Sequence, residues 1–165
     1  MVQRISNDDT RYRVLVYLDS ETQKSDQFVV AEPIFVELFD SRVVVIPADF
    51  VSDGHSTPRL LDVLLPHYDA KTNLAAIVHD FLYMHWEVFE QQQKQLRAAV
   101  LECPSRLLSI DIDDPRAYAD EAYYRLMEQM APCQWRNGLY WVAVRCLGWW
   151  NWRGYRRNDR TRKFQ

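Results

Sequence analysis

The residues best suited to chemistry lie in one short stretch, residues 73–83. Within it, His79 and Asp80 directly follow the apolar run 74–78, and a histidine or a carboxylate in an interior is costly unless it is paired or hydrogen-bonded. Successive helix positions are about 100° apart, so the two side chains point in different directions and suit a base and a metal ligand. Tyr83 lies four residues after His79, on the same predicted helix face.

Other polar residues extend this candidate site. A histidine acts as a general base near neutral pH because its unperturbed pKa is about 6.5, and it works better when a carboxylate holds one ring nitrogen. Asp120, on a later predicted helix, is the candidate for that orienting carboxylate, and Tyr83 is a candidate to hold it. Asp53 and Asp80, with the backbone carbonyl of Gly54, offer the oxygen ligands that calcium prefers. Such a cation polarises a carbonyl or phosphoryl oxygen while the histidine activates water.

Each of these pieces also has an ordinary structural interpretation. His79 and Asp80 are then a pair that bridges helices, Asp53 and Gly54 form a turn, and Asp120 is a solvated residue on a helix face. A zinc pair on the helix is not supported, because the histidines there are six residues apart and face different directions. Three histidines are not predicted to be ligands: His55, His67 and His85.

The elements that must position the site predict an α+β fold, in which a small N-terminal, mainly antiparallel sheet is followed by four or five helices. Runs rich in β-branched and aromatic residues predict strands, and Pro33 separates two of them; the runs are 13–18, 28–31, 34–38 and 42–46. Residues 48–58 have the composition of a loop.

Helical periodicity and capping residues predict the remaining elements. Asp114 is a predicted N-cap, with Pro115 at the first helical position. Residues 91–101 either continue the second helix or form a separate one. The predicted helices cover about 59–65, 71–90, 115–130 and 135–150.

Size and charge indicate one domain with a distinct end. The chain has 165 residues, 48% of them hydrophobic, which predicts a single α+β domain over residues 1–152 and a basic tail over residues 153–165. Six basic residues and one acidic residue give the tail a balance of +5, which leaves −8 for the rest of a chain whose total is −3. With the neighbouring tryptophans, this tail predicts an anionic lipid surface or a protein as partner, and nucleic acid is not expected.

Two protein classes are not indicated. No apolar run approaches the roughly 18 residues of a membrane span, so no transmembrane segment is predicted. The N-terminus lacks the apolar core of a signal peptide. The three cysteines, Cys103, Cys133 and Cys146, have no metal-like spacing and are interpreted as reduced, mostly buried thiols.

The order of the polar pieces resembles prokaryotic phospholipase A(2). The matching residues are Ser52, Asp53, Gly54, Ser56 and Pro58, then His79, Asp80, Phe81 and Tyr83, then Asp120. The resemblance implies that the histidine is the base and Asp120 its orienting residue, supported by the tyrosine. It also implies calcium ligands at Asp53, Gly54 and Asp80. The chain departs from that secreted family where flanking cysteines are replaced by His55 and Ile77, and the first fifty residues have no counterpart there.

A longer resemblance links the chain to a domain family of unknown function that is common in bacteriophages and prophages, often among structural genes. It covers residues 45–53, 56–59, 79–80, Asp120 and 140–148. Two functions are therefore expected as alternatives. One is a phage-encoded, calcium-assisted hydrolase of phospholipid-like esters. The other is a non-catalytic structural or assembly protein of the virion tail or neck, made in the bacterial cytoplasm and incorporated into the particle with phage structural proteins as partners.

Overall fold

The structure is a computed structural model that describes residues 14–16, 28–52, 72–100, 112–132 and 134–162. Within these residues it contains five short strands and four helices. In chain order they are β1 (Val14–Val16), β2 (Phe28–Val30), β3 (Ile34–Glu37), β4 (Val43–Ile46), β5 (Val51–Ser52), α1 (Asn73–Met84), α2 (Trp86–Val100), α3 (Pro115–Met130) and α4 (Gln134–Arg162). The predicted short helix over residues 59–65 lies outside the described residues.

The strands form two antiparallel sheets, so the predicted single N-terminal sheet is wrong. One sheet has the order β1-β2-β5 and the other pairs β3 with β4. Pro33 lies between β2 and β3 and lacks the N–H that would continue a ladder. Helices make up 67% of the described residues, so strands are a smaller part of this α+β chain than we expected. Strand β5 falls in a segment predicted to be loop, because two residues carry no periodicity.

The helix predicted over residues 71–90 is divided in the structure, because α1 ends at Met84 and His85 separates it from α2. In a continuous helix the carbonyl of Tyr83 would accept the N–H of Glu87. Here that carbonyl accepts a hydrogen bond of 2.7 Å from the guanidinium of Arg156, on α4. The break is therefore stabilised by a side chain from the far end of the chain, which no local pattern reveals.

Helix α1 is the centre of the core. It lies against α2, α3, α4, β4 and β5, and all but three of its twelve residues are buried. A helix that is covered on nearly every side is a core helix, so any polar side chain it carries inward needs a partner. Helix α3 begins and ends where it was predicted, and the Asp114 side chain accepts a hydrogen bond of 2.9 Å from the N–H of Ala117.

Helix α4 continues through most of the predicted basic tail and ends at Arg162 instead of near Trp150. Its 29 residues span about 43 Å at 1.5 Å per residue. Cys146, on this helix, is an exposed free thiol and not a buried one. Among the described residues, none of the helices combines the length and apolarity that crossing a bilayer requires.

Candidate functional site

The structure brings His79, Tyr83 and Asp120 into one buried network. The His79 Nε2 atom lies 3.1 Å from Asp120 Oδ1, and the Tyr83 hydroxyl donates a hydrogen bond of 2.6 Å to the same oxygen. His79 and Tyr83 are one turn apart on α1, and α3 carries Asp120 to them from 41 residues along the chain. The Asp120 side chain is 0% exposed, so it is not a solvated helix-face residue.

A third donor reaches Asp120 from α4. The Arg145 guanidinium donates a hydrogen bond of 3.1 Å to Asp120 Oδ2. A buried carboxylate is tolerated when donors satisfy its oxygens, and charged donors do this best. The carboxylate therefore ties together α1, α3 and α4, and its two oxygens have three donors between them.

The other side of the imidazole faces Asp80. His79 Nδ1 lies 3.8 Å from Asp80 Oδ1, too far for a direct hydrogen bond. The Ser52 hydroxyl, at the end of β5, donates a hydrogen bond of 2.5 Å to Asp80 Oδ2. The two ring nitrogens therefore have different surroundings, one bonded to a buried carboxylate and one near a partly exposed carboxylate.

These contacts determine which nitrogen holds the proton of the neutral ring. An ionised carboxylate only accepts hydrogen bonds, so the Nε2 atom that contacts Asp120 carries the hydrogen. In the neutral form Nδ1 then has a free lone pair, which a general base needs.

The network also shifts the acidities of its members. Burial lowers the pKa of His79, but its hydrogen bond with Asp120 and the negative charges of Asp80 and Asp120 raise it more, so the pKa lies above its ordinary 6.5. Burial raises the pKa of Asp120, yet the contacts with His79, Tyr83 and Arg145 bring it below its ordinary 3.8. Burial and the Asp120 charge raise the pKa of Tyr83 well above 10.0, so its hydroxyl stays protonated as a donor.

Aromatic rings enclose the imidazole. The centroid of Tyr83 lies 4.1 Å from that of His79, and the centroid of Tyr123 lies 4.8 Å away. Helix α4 approaches the Tyr83 ring at Gly148, where an added Cβ would lie 2.7 Å from the Tyr83 hydroxyl oxygen. The absence of a side chain at Gly148 therefore lets α4 pack directly over the network.

The predicted calcium ligands are only partly described. Asp53 and Gly54 lie outside the described residues, and within the described part of the chain no three His, Cys, Asp or Glu side chains converge on a metal position. Asp80 supplies one partly exposed carboxylate, whereas calcium takes six to eight oxygens. Calcium binding therefore stays a prediction that rests on all three residues together.

Sequence reasoning missed three residues that contact the network. They are Tyr123, Arg145 and Gly148, and the sequence-based prediction gives none of them a role in the site. Arg145 carried a signal, because a lone charge within the apolar segment 140–148 needs a partner. Gly148 carried none, because its role depends on which ring lies across the helix interface.

Comparison with known protein families identifies one family to which the chain is similar. The profile of the family described as "Protein of unknown function (DUF1353)" matches residues 28–144. The chain belongs to this family. The matched part of the DUF1353 domain contains His79, Tyr83 and Asp120, and it ends one residue before Arg145. The chain matches no curated protein and no solved structure.

Proposed function

We propose that this DUF1353 domain hydrolyses ester bonds, with phospholipid-like esters as the substrate class, and that His79 is its general base. One observation carries the proposal: a fully buried carboxylate holds Nε2 of His79, while Nδ1 faces the opposite side. A histidine oriented in this way by a carboxylate is suited to removing a proton from a nucleophile.

The chemistry uses the two nitrogens differently. In the neutral ring, Nδ1 takes a proton from a water molecule whose oxygen attacks the ester carbonyl carbon. The same proton passes from Nδ1 to the leaving alkoxide when the carbon–oxygen bond breaks, so His79 returns to its starting state. Asp120 stays ionised and stabilises the imidazolium formed between these steps. Tyr83 and Arg145 favour the ionised form of Asp120 because they donate hydrogen bonds to it.

Calcium belongs to the proposal through Asp80. Asp80, Asp53 and the carbonyl of Gly54 are the residues that would hold it, and the bound cation supplies polarisation of the ester carbonyl. The Ser52 hydroxyl orients the Asp80 carboxylate by its hydrogen bond to Oδ2.

The proposal predicts a specific dependence of hydrolysis on pH. Because Asp120 and Asp80 raise the pKa of His79 above 6.5, the ring is protonated and inactive as a base below that pKa. The rate of hydrolysis of a short-chain phospholipid in calcium buffer should therefore rise with pH through the raised pKa of His79. His79→Gln should lower this rate by about a hundredfold or more, which is the usual contribution of a general base.

The matched control is His85→Gln, at the break between α1 and α2, where the wild-type rate and pH profile should persist. The proposal fails if His79→Gln keeps the wild-type rate while remaining folded. It also fails if a folded, calcium-loaded wild-type protein hydrolyses no ester across the pH range.

A second candidate function is a non-catalytic structural or assembly protein of a bacteriophage tail or neck, with phage structural proteins as partners. The observation that favours it is the complete satisfaction of Asp120 by donors from α1 and α4, which also suits a purely structural ion pair. Incorporation of the chain into particles, without ester hydrolysis at any pH, would favour this candidate.

A further inference from the structure

The two sides of α4 differ sharply. The inward side carries Arg145 and Gly148, which contact the His79 network, while the opposite side is exposed. We define the outer face of α4 as its exposed residues at helical spacing: Trp135, Leu139, Val142, Cys146, Trp149, Trp150, Arg153 and Arg157. The steps between successive members are three or four residues apart from the adjacent tryptophans, which keeps the members in one stripe along the helix.

The composition of the outer face changes along its length. The first six members are apolar, and Trp150 has 74% of its surface exposed. The last two members are arginines, and the Arg153 guanidinium lies 4.0 Å from the centroid of the Trp149 ring. Helix α4 as a whole contains seven arginines and a single acidic residue, Asp159. The face thus joins an exposed apolar surface to a cationic end that carries Arg153 and Arg157.

We infer that the outer face of α4 binds an anionic lipid surface. Tryptophan rings favour the boundary between acyl chains and water, and arginines attract anionic head groups. A helix lying in the plane of the surface would bury the apolar part and place its basic end among the head groups. Charge complementarity favours this occupant, because the exposed Arg153 and Arg157 continue the apolar stripe and would lie among anionic head groups. The apolar members favour it over nucleic acid, which is bound mainly through phosphate contacts.

This inference adds a partner to the proposed hydrolase but rests on α4 and not on His79. The test is sedimentation of the full chain with phosphatidylcholine vesicles that either contain or lack phosphatidylglycerol. We expect binding to the anionic vesicles at low salt, weakening at high salt because exposed charges are screened. His79→Gln should bind them as well as the wild type, which separates failure of the catalytic proposal from failure of this one.

Variants locate the contact. Replacing both Arg153 and Arg157 by Gln should weaken binding about fivefold for each arginine, and Arg125→Gln on α3 is the matched control. Trp150→Ala should weaken binding by about tenfold or more, whereas Phe35→Ala removes an exposed aromatic ring from β3 and should have no effect.

Four results would overturn the inference: no binding at low salt, equal losses in face and control variants, a stable dimer that buries this face without vesicle binding, or binding of duplex DNA in place of vesicles. Loss of vesicle binding only in the face variants, with unchanged melting temperature, supports it.

Discussion

The two sides of the His79 ring are built differently, although each presents a carboxylate. On the Nε2 side, Asp120 is fully buried and receives hydrogen bonds from two helices besides its own. On the Nδ1 side, Asp80 is partly exposed, and Ser52 at the end of a two-residue strand donates to it. The difference teaches that one carboxylate is held inside the fold by donors from two other helices, while the other lies on the partly exposed side of the ring.

Removal of the buried carboxylate should have the largest effect. Asp120→Asn leaves His79 and Arg145 without their anionic partner, and breaking a buried pair typically destabilises by about 3–5 kcal/mol. We expect a loss of this order in urea unfolding, together with loss of ester hydrolysis. Glu121→Gln, next in the chain and in an exposed pair with Arg125, should change stability by less than about 1 kcal/mol. Equal stabilities for the two variants would show that Asp120 does not stabilise the packing of the three helices.

Crowding the Nε2 side should have an intermediate effect. In Gly148→Ala the new Cβ meets the Tyr83 hydroxyl at 2.7 Å, so the Tyr83 ring or α4 must shift. Overpacking of this kind destabilises by about 1–3 kcal/mol. Gly154→Ala on the same helix has nothing within 4 Å of its new Cβ and should be neutral or stabilising by up to about 1 kcal/mol.

A double variant tests the cause of the Gly148 effect. Tyr83→Phe removes the hydroxyl that the new Cβ would meet, so the combined variant should lose less stability than the sum of the two single changes. Additive losses in thermal unfolding would place the cause elsewhere in α4.

Changing the Nδ1 side should have the smallest effect on stability. Since the folded pKa of His79 is raised, its contribution is complete below pH 6.5 and is lost as pH rises through the folded pKa. Asp80→Asn removes one cause of that increase, so the loss of stability above pH 6.5 should be smaller and should be complete at a lower pH. The shift should be visible in urea midpoints measured from acidic to alkaline pH, with the exposed Asp113→Asn as control.

Asp80→Asn also tests the cation. Calcium should raise the melting temperature of the wild type, because a ligand of the folded state stabilises it, and should not do so in the variant. A calcium response that survives the substitution would remove Asp80 from the proposed metal site.

The sequence determined features whose interactions are local. The start of α3 was predictable because Asp114 can accept a hydrogen bond from the N–H three residues ahead and Pro115 suits the first helical position. The candidate residues on α1 were recognisable because a histidine and an aspartate on an apolar helix need hydrogen-bond partners. Their placement one turn from Tyr83 follows from helix geometry alone. The division into a domain over residues 1–152 and a tail stays a prediction.

Tertiary structure decided whatever depends on partners distant in the chain. Neither the division into two sheets nor the meeting of Arg145 with Asp120 leaves a periodic signal. The end of α1 depends on Arg156, 73 residues after the carbonyl it contacts, and the role of Gly148 depends on the ring packed against it. The physical reason is range: caps and helix faces are specified within a few residues, whereas a buried carboxylate acquires its donors only when three helices pack together.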